Sequence, residues 1–186
     1  MIHPSITPAL AQLGRIIQIA FIPADFDREI AFWTRSMGVG PFFHLAHIPL
    51  QNTRYRGNPG SADLSAALGY WGDVQIELVV QHDDTPSIYR DWRASGRCGV
   101  HHIGVIVDDF DAASALLHDR GGVAVQETEI VDATRAAYFE MPDPDCPLIE
   151  LLWLQPHFMR LFDHMRAEAG AWDGITAPLR PPPESW

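Results

Sequence analysis

Two short apolar segments of the chain each carry one glutamate at their centre. Residues 74–80 place Glu77 in the tripeptide Ile-Glu-Leu, and residues 147–153 repeat this tripeptide around Glu150. Both segments have the length and apolar content of a buried strand, in which an isolated carboxylate would cost several kcal/mol. One such glutamate could simply lie on a sheet face that is open to water. The recurrence of the pattern indicates that the two carboxylates share a function.

The two glutamate segments belong to an internal repeat. Residues 18–27 align without gaps on residues 102–111, and each block is a short β-rich run that ends in Asp-Phe-Asp before a helical pattern. The alignment pairs Gln18 with His102. Each half of the chain therefore carries one polar residue in its first strand and one glutamate in its last. The neighbouring His101 is predicted to face the other side of its strand, in the core or at the surface.

These four polar residues could form a metal site. Side chains alternate between the two faces of a strand, so Glu77 and Glu150 point away from the apolar residues beside them. If the halves pair about a pseudo-twofold axis, Gln18, Glu77, His102 and Glu150 converge on one concave face. Two buried carboxylates repel each other unless a cation lies between them. Three oxygen donors, one imidazole nitrogen and no thiolate suit zinc, nickel, cobalt or manganese with open coordination positions, and we predict a divalent metal ion as the cofactor.

The composition excludes several classes of protein. Of the 186 residues, 47% are hydrophobic and 20% are charged, which indicates a globular protein with a sizeable core. The net charge of −11 argues against nucleic acid or an anionic membrane as a partner, and a small-molecule substrate is expected instead. All 13 basic residues are arginines, which excludes Schiff-base chemistry on lysine. Two cysteines without CxxC spacing, no basic leader and no membrane-length apolar run predict a cytoplasmic protein.

The elements that would position the four polar residues fall into two modules. Residues 15–80 have the pattern of a strand, a helix and further strands, and residues 100–155 repeat this order. Asp25 is the predicted N-cap of the first module helix, and the repeat aligns Asp109 with it.

The rest of the chain is predicted to connect or cover the modules. Residues 81–99 form a connector with a short helix at 87–94. Residues 156–186 form an amphipathic helix that acts as a lid or brace, followed by a proline-rich tail without regular structure. The turn-forming residues of 51–60 predict an exposed, mobile loop inside the first module.

The doubled pattern resembles the vicinal oxygen chelate superfamily, which includes glyoxalases, bleomycin resistance proteins and dioxygenases. The resemblance covers about residues 15–155 and implies an α+β fold. In that fold, two βαβββ modules form a cupped half-barrel of mixed sheet around one metal, with the helices outside. Residues 74–121 are most similar to methylmalonyl-CoA epimerase. The order Gln, Glu, His, Glu in the ligand set is instead similar to that of glyoxalase I.

The resemblance implies a metal-dependent isomerase, epimerase or lyase that acts on a small carbonyl or acyl-thioester compound. In such enzymes the metal stabilises the enolate that forms when a base removes an α-proton. Glu150 is the predicted ligand that also exchanges protons. Asp63, near the position of the epimerases' catalytic glutamate, is the predicted partner acid or base, although it could equally be a turn residue. Ile22 and Cys98 stand where glyoxalase I has arginines for glutathione, so glutathione is not expected.

Several features leave alternatives open. Arg54 and Arg56 are candidate contacts for an anionic substrate tail, and six aromatic residues are candidate walls of a pocket.

A metal-free protein that sequesters small molecules in the cup is the second candidate function. An extradiol dioxygenase ranks last, because it needs two histidines and one glutamate on iron. A homodimer is open, because the modules could pair within one chain or between two. The aromatic candidates are Trp33, Phe42, Phe43, Tyr70, Trp71 and Tyr138.

Overall fold

The computed structural model describes residues 10–130 and 133–183, so residues 184–186 of the predicted C-terminal segment lie outside the described residues. The strands are β1 Arg15–Phe21, β2 Phe42–Leu45, β3 Leu50–Tyr55, β4 Asn58–Pro59, β5 Leu64–Trp71, β6 Val74–Gln81, β7 Val100–Ile106, β8 Val123–Ile130, β9 Thr134–Glu140, β10 Leu148–Trp153 and β11 Leu179–Arg180. The helices are α1 Phe26–Ala31, extended by a π-helical turn over Phe32–Ser36, α2 Ile88–Ala94, α3 Phe110–Asp119 and α4 Pro156–Ala171.

Two equivalent modules meet at the centre of one sheet. In the first, β1 pairs in parallel with β6, and in the second, β7 pairs in parallel with β10. Strands β1 and β7 join the modules as an antiparallel pair in which Ile19 lies opposite Ile103. Asp25 and Asp109 cap α1 and α3, because each carboxylate accepts a hydrogen bond at 3.0 Å from a backbone N–H of the first helical turn. The predicted α+β fold of two βαβββ modules is confirmed.

The sheet curls so far that its two ends come close together. Its strand order is β11-β2-β5-β6-β1-β7-β10-β9-β8-β3-β4, so β2 and β3 are consecutive in the chain but eight strand spacings apart in the sheet. A flat sheet would separate them by about 38 Å. The chain from Leu45 to Leu50 spans at most roughly 18 Å. Residues 46–49, which we call the strap, therefore cross the mouth of a strongly curved sheet.

Two peripheral segments differ from the sequence-based expectation. The predicted mobile loop at 51–60 is instead the hairpin of β3 and β4, and β3 adds to the second module by pairing with β8. The tail, predicted to lack regular structure, places Leu179–Arg180 beside β2 as the short strand β11. Both segments are rich in residues that weaken local strand propensity, and pairing with a distant strand overrides that propensity.

The helices cover both faces of the sheet. On the outer face, Ile30 and Trp33 pack against β5 and β6, and Phe110 and Leu117 pack against β9 and β10. Helices α2 and α4 lie instead on the inner face, which we define as the face that carries Glu77 and Glu150. There Phe158, Leu161 and Met165 of α4 pack on Ala66, Leu68 and Tyr70. The half-barrel is therefore partly filled by the chain's own C-terminal helix.

Candidate metal and substrate site

The four predicted metal ligands come together on the inner face. Strand register places Gln18 of β1 opposite Gly104 of β7, and Glu150 of β10 on the other side of the same glycine. His102 Nε2 lies 3.1 Å from a carboxylate oxygen of Glu77 and 3.4 Å from one of Glu150. The pseudo-twofold arrangement thus brings the two glutamates, which are 73 positions apart in the numbering, to one imidazole. Asp63, the fifth predicted site residue, is not among them.

Gly104 makes room for this convergence. A Cβ atom at this position would lie 2.9 Å from Gln18 Oε1 and 3.2 Å from Glu150 Oε2, and also 2.9 Å from the Gln18 Cβ atom. Any larger residue would push the two oxygen donors apart. The motif His-His-Ile-Gly carried this signal, but sequence reasoning did not single out the glycine.

Within the described residues, three of the four side chains bury a polar atom that has no hydrogen-bond partner. Gln18 Nε2 donates to Gln75 Oε1 at 2.7 Å, which leaves Gln18 Oε1 without one. His102 Nε2 and Glu150 Oε2 form no hydrogen bond either, and their contacts are those of ion pairs. Gln18, His102 and Glu150 are all buried, and buried polar atoms without partners are rare in proteins. Their clustering indicates that this site receives a further group.

Burial and mutual contact shift the pKa values of the ionisable side chains in the site. Burial raises the pKa of Glu77, although His102 opposes the shift. Burial alone would lower the pKa of His102, but Glu150 and Glu77 outweigh it and raise that pKa to about 9. In this state His102 is the cation that holds the two carboxylates together. In the described ranges, no group of three or more histidine, cysteine, aspartate or glutamate side chains is placed so that it could hold a metal ion.

His101 contacts His102 through the Nδ1 atoms of the two rings. The two Nδ1 atoms are 2.9 Å apart, so one must donate and the other must accept. Burial, followed by the charge on His102, lowers the pKa of His101 to about 2, so His101 is neutral. Its ring stacks on Tyr89 at 5.3 Å, which fixes its orientation. His101 lies in the core, which is one of the two positions that were predicted for it. Its contact with His102 was not predicted from the sequence.

Two tyrosines add hydroxyl groups to the site. Tyr89 Oη and Tyr138 Oη are 3.0 Å apart, and the ring of Tyr138 meets the ring of His102 edge-on at 5.2 Å. Burial and the charges of Glu77 and Glu150 raise the pKa of both phenols well above their usual value. Both tyrosines therefore stay protonated, and because Tyr89 donates to Tyr138, the Tyr138 hydroxyl is the one that can donate to a bound molecule.

A cavity of about 720 Å³ opens directly above these residues. Gln18, Glu77, Glu150 and the two tyrosines line it on one side. The rest of the wall is mainly apolar and comes from six strands, α4, the strap and the tail. Examples are Leu50, Leu64, Leu68, Val79, Leu152 and Phe158. This volume lies in the range that is typical of small-molecule sites.

Other predicted site residues lie outside the cavity. The Asp63 carboxylate contacts His47 Nδ1 at 2.8 Å, and Asp63 does not line the cavity. Arg56 pairs with Asp91 and Glu140, and Arg54 donates to the Gly57 carbonyl. Neither arginine lines the cavity.

Of the six aromatic residues predicted as walls, only Tyr138 lines the cavity. The apolar clusters under α1 and α4 bury four of the others, and Trp71 is exposed. The wall is instead built from aliphatic residues and from Tyr89, Phe158 and Phe162.

The fold and the site define a cup-shaped half-barrel that is built from a duplicated module. Residues 17–139 match the family model of the Glyoxalase/Bleomycin resistance protein/Dioxygenase superfamily. The chain belongs to this superfamily. No curated protein gives a significant match to the sequence.

Solved structures with the same fold include enzymes. A hypothetical protein from Bacillus halodurans superposes with a TM-score of 0.59 at 14% identity, over 76% of this chain and 94% of its own. Methylmalonyl-CoA epimerase from Mycobacterium tuberculosis gives 0.54 at 19% identity, over 78% and 91%. The Streptomyces coelicolor epimerase, solved with 2-nitronate-propionyl-CoA, gives 0.54 at 21% identity, over 77% and 96%. At these identities the likeness shows the fold alone.

In the described part of the chain, no helix has both the length and the apolar content needed to cross a membrane.

Proposed function

We propose that the protein is a divalent-metal-dependent enzyme that moves a proton on the carbon next to a carbonyl group, as an isomerase, epimerase or lyase. The observation that carries the proposal is the cluster of unpaired buried atoms, Gln18 Oε1, His102 Nε2 and Glu150 Oε2, at one end of the cavity. Zinc, nickel, cobalt and manganese all accept these donor types. Gln18, Glu77, His102 and Glu150 would hold the ion after their side chains re-orient from the present ion pairs.

The metal ion would supply a Lewis acid that stabilises negative charge on a substrate oxygen when the α-proton leaves. The chain's own residues would do the rest. Glu77 and Glu150 are the only carboxylates among the described residues that line the cavity, so we assign the proton transfer to Glu150 and charge balance to Glu77. Tyr138, whose hydroxyl accepts from Tyr89, would orient the substrate by donating a hydrogen bond, and the apolar wall would exclude water.

The proposal is tested by metal analysis and by proton exchange. Protein purified without chelators should contain about one equivalent of a divalent metal. The loaded protein should incorporate solvent deuterium at the α-carbon of one or more 2-oxo or acyl-thioester compounds. Glu150→Gln should abolish this incorporation, because an amide cannot take up the proton, whereas Glu127→Gln, an exposed residue outside the cavity, should leave it unchanged. Full exchange by Glu150→Gln would contradict the assigned role.

A metal-free binding protein is the second candidate. It is favoured by the mainly apolar cavity and by the ability of protonated His102 to balance the two carboxylates without a metal. Such a protein would bind apolar molecules equally well in the presence and absence of a chelator. It would show no deuterium exchange with any divalent metal.

A further inference from the structure

The cavity also indicates what kind of molecule it takes. This inference rests on the proposed function only for the chelating end of the ligand; the remainder follows from the wall of the cavity. Away from Gln18, Glu77 and Glu150, the wall consists mainly of aliphatic and aromatic side chains. Two polar residues in that wall form hydrogen bonds within the chain: Gln126 Oε1 accepts from the Ile88 N–H, and the Thr128 hydroxyl pairs with the Thr53 hydroxyl.

Among the described residues of the wall, no cation is without a carboxylate partner. Arg180 is the only arginine among the described residues that line the cavity. Its guanidinium forms an ion pair with the Glu168 carboxylate at 2.8 Å, and two further N–H groups donate to the carbonyls of Ala177 and Thr176 at 3.0 and 3.3 Å. His44 also lines the cavity, but burial, with His82 and His47, lowers its pKa and keeps it neutral. A carboxylate or phosphate in the cavity would therefore lose water without gaining a counter-ion.

Helix α4 limits the size of the ligand. Phe158 and Phe162 project into the cavity wall, and Leu161 and Met165 fill the adjoining part of the inner face. The remaining volume of about 720 Å³ suits a small, compact molecule.

We infer that the substrate is a compact carbonyl compound with two neighbouring oxygens at one end and an uncharged hydrocarbon body, either aliphatic or aromatic. The oxygens lie at the Gln18, Glu77 and Glu150 end, and the body lies against β5, β10 and α4. Substrates with an anionic tail, such as glutathione conjugates, do not fit this cavity.

A matched pair of chelating probes tests the inference. Octanohydroxamic acid and suberic acid monohydroxamate share the chelating group and the chain length, but the second ends in a carboxylate. Calorimetric titration of the zinc-loaded protein should show that the first binds at least about 30-fold more tightly. Equal affinity, or a preference for the suberic compound, would overturn the inference.

Two arginine variants on α4 test whether the preference for the octanoyl probe arises in the cavity wall. Phe162→Arg places a cation in the cavity wall and should reduce the preference for the octanoyl probe by about tenfold or more. Met159→Arg adds the same charge to the same helix outside the cavity and should leave the preference unchanged. A similar loss of preference in both variants would show that the effect is not local to the cavity and would count against the inference.

A second pair separates this inference from the metal-dependent function. 1-Octanol and 8-hydroxyoctanoate lack the chelating group, so their binding to the chelator-treated protein reports on the wall alone. A preference for octanol together with hydroxamate binding that needs no metal would refute the proposed function and retain the apolar substrate class. No preference for octanol would overturn the class even if the metal function holds.

Discussion

At the scale of single residues, the arrangement of His101 behind His102 has a direct chemical meaning. If His102 Nε2 is to offer a lone pair, its Nδ1 must carry the proton and donate it to His101 Nδ1 at 2.9 Å. His101 is neutral and held by its stack on Tyr89, so it is suited to accept this hydrogen bond. His101 is thus a positioning residue that sets the tautomer of its neighbour.

Replacing His101 tests this role. His101→Phe keeps the stacked ring but removes the acceptor, and we expect the affinity for zinc or cobalt to fall about 10- to 100-fold. His101→Asn places an oxygen where Nδ1 lies and should recover most of the lost affinity. Both affinities are measured by competition with a chromophoric chelator, and the cobalt absorption spectrum reports the geometry. Equal losses in the two variants would show that packing, not the hydrogen bond, is the cause.

The raised pKa of His102 predicts how the metal-free protein responds to pH. His102 titrates near 6.5 when unfolded and at about 9 when folded, so its stabilising contribution is complete below pH 6.5 and lost as the pH rises through 9. Glu77, whose pKa is also raised, acts in the same direction. The free energy of unfolding in excess chelator should fall by roughly 3 kcal/mol between pH 6 and 9.5.

Chemical denaturation at both pH values measures this change, with His102→Gln as the comparison. The variant should be less stable at pH 6 but should show a much smaller fall toward pH 9.5. An identical fall in the two proteins would mean that groups other than His102 produce it.

At the scale of elements, local sequence patterns predicted those features of the fold that depend only on residues nearby in the chain. Asp25 and Asp109 cap their helices as expected, because a cap needs only the first helical turn. The alternation of strands placed Glu77 and Glu150 on one face, because that period is fixed by the backbone. The convergence of Gln18, Glu77, His102 and Glu150 could be predicted because the repeat supplied the symmetry that relates the two halves.

What the sequence could not supply was pairing between distant segments. Strand β3 joins β8 through the contact of Thr53 with Thr128, 75 positions further along the chain, and nothing in the turn-rich pattern of 51–60 specifies that partner. Asp63 was placed by alignment to a family residue, but in the fold it contacts His47 and does not line the cavity. The aromatic candidates were chosen by type, whereas the packing of α1 and α4 buries four of them away from the cavity.

At the scale of the whole molecule, two separate seams join the modules within one chain. The central seam is the antiparallel pair of β1 and β7, and the second is the pair of β3 and β8. Exchange of modules between two chains would have to break both seams. We therefore expect the covalent link through residues 82–99 to contribute little to holding the modules together.

Cutting the connector tests this view. A protease site inserted after Gly96, in an exposed turn, allows the folded protein to be cleaved between α2 and β7. The two fragments should remain together in size-exclusion chromatography and separate only in denaturant, because the ten paired positions of the two seams and the shared apolar cluster persist. Separation under native conditions would show that the seams are weaker than the covalent link.

The strap has a consequence for how the cavity meets its ligand. It is tied to β5 at three points: the His47 N–H donates to Ser65 Oγ at 3.0 Å, the His47 ring contacts Asp63, and the Ile48 N–H donates to the Leu64 carbonyl at 2.7 Å. The wall that Ile48 and Pro49 contribute is thus already in place before anything binds. Little chain entropy then remains to be lost on association, so even a small hydrocarbon can bind without having to organise the surface that surrounds it.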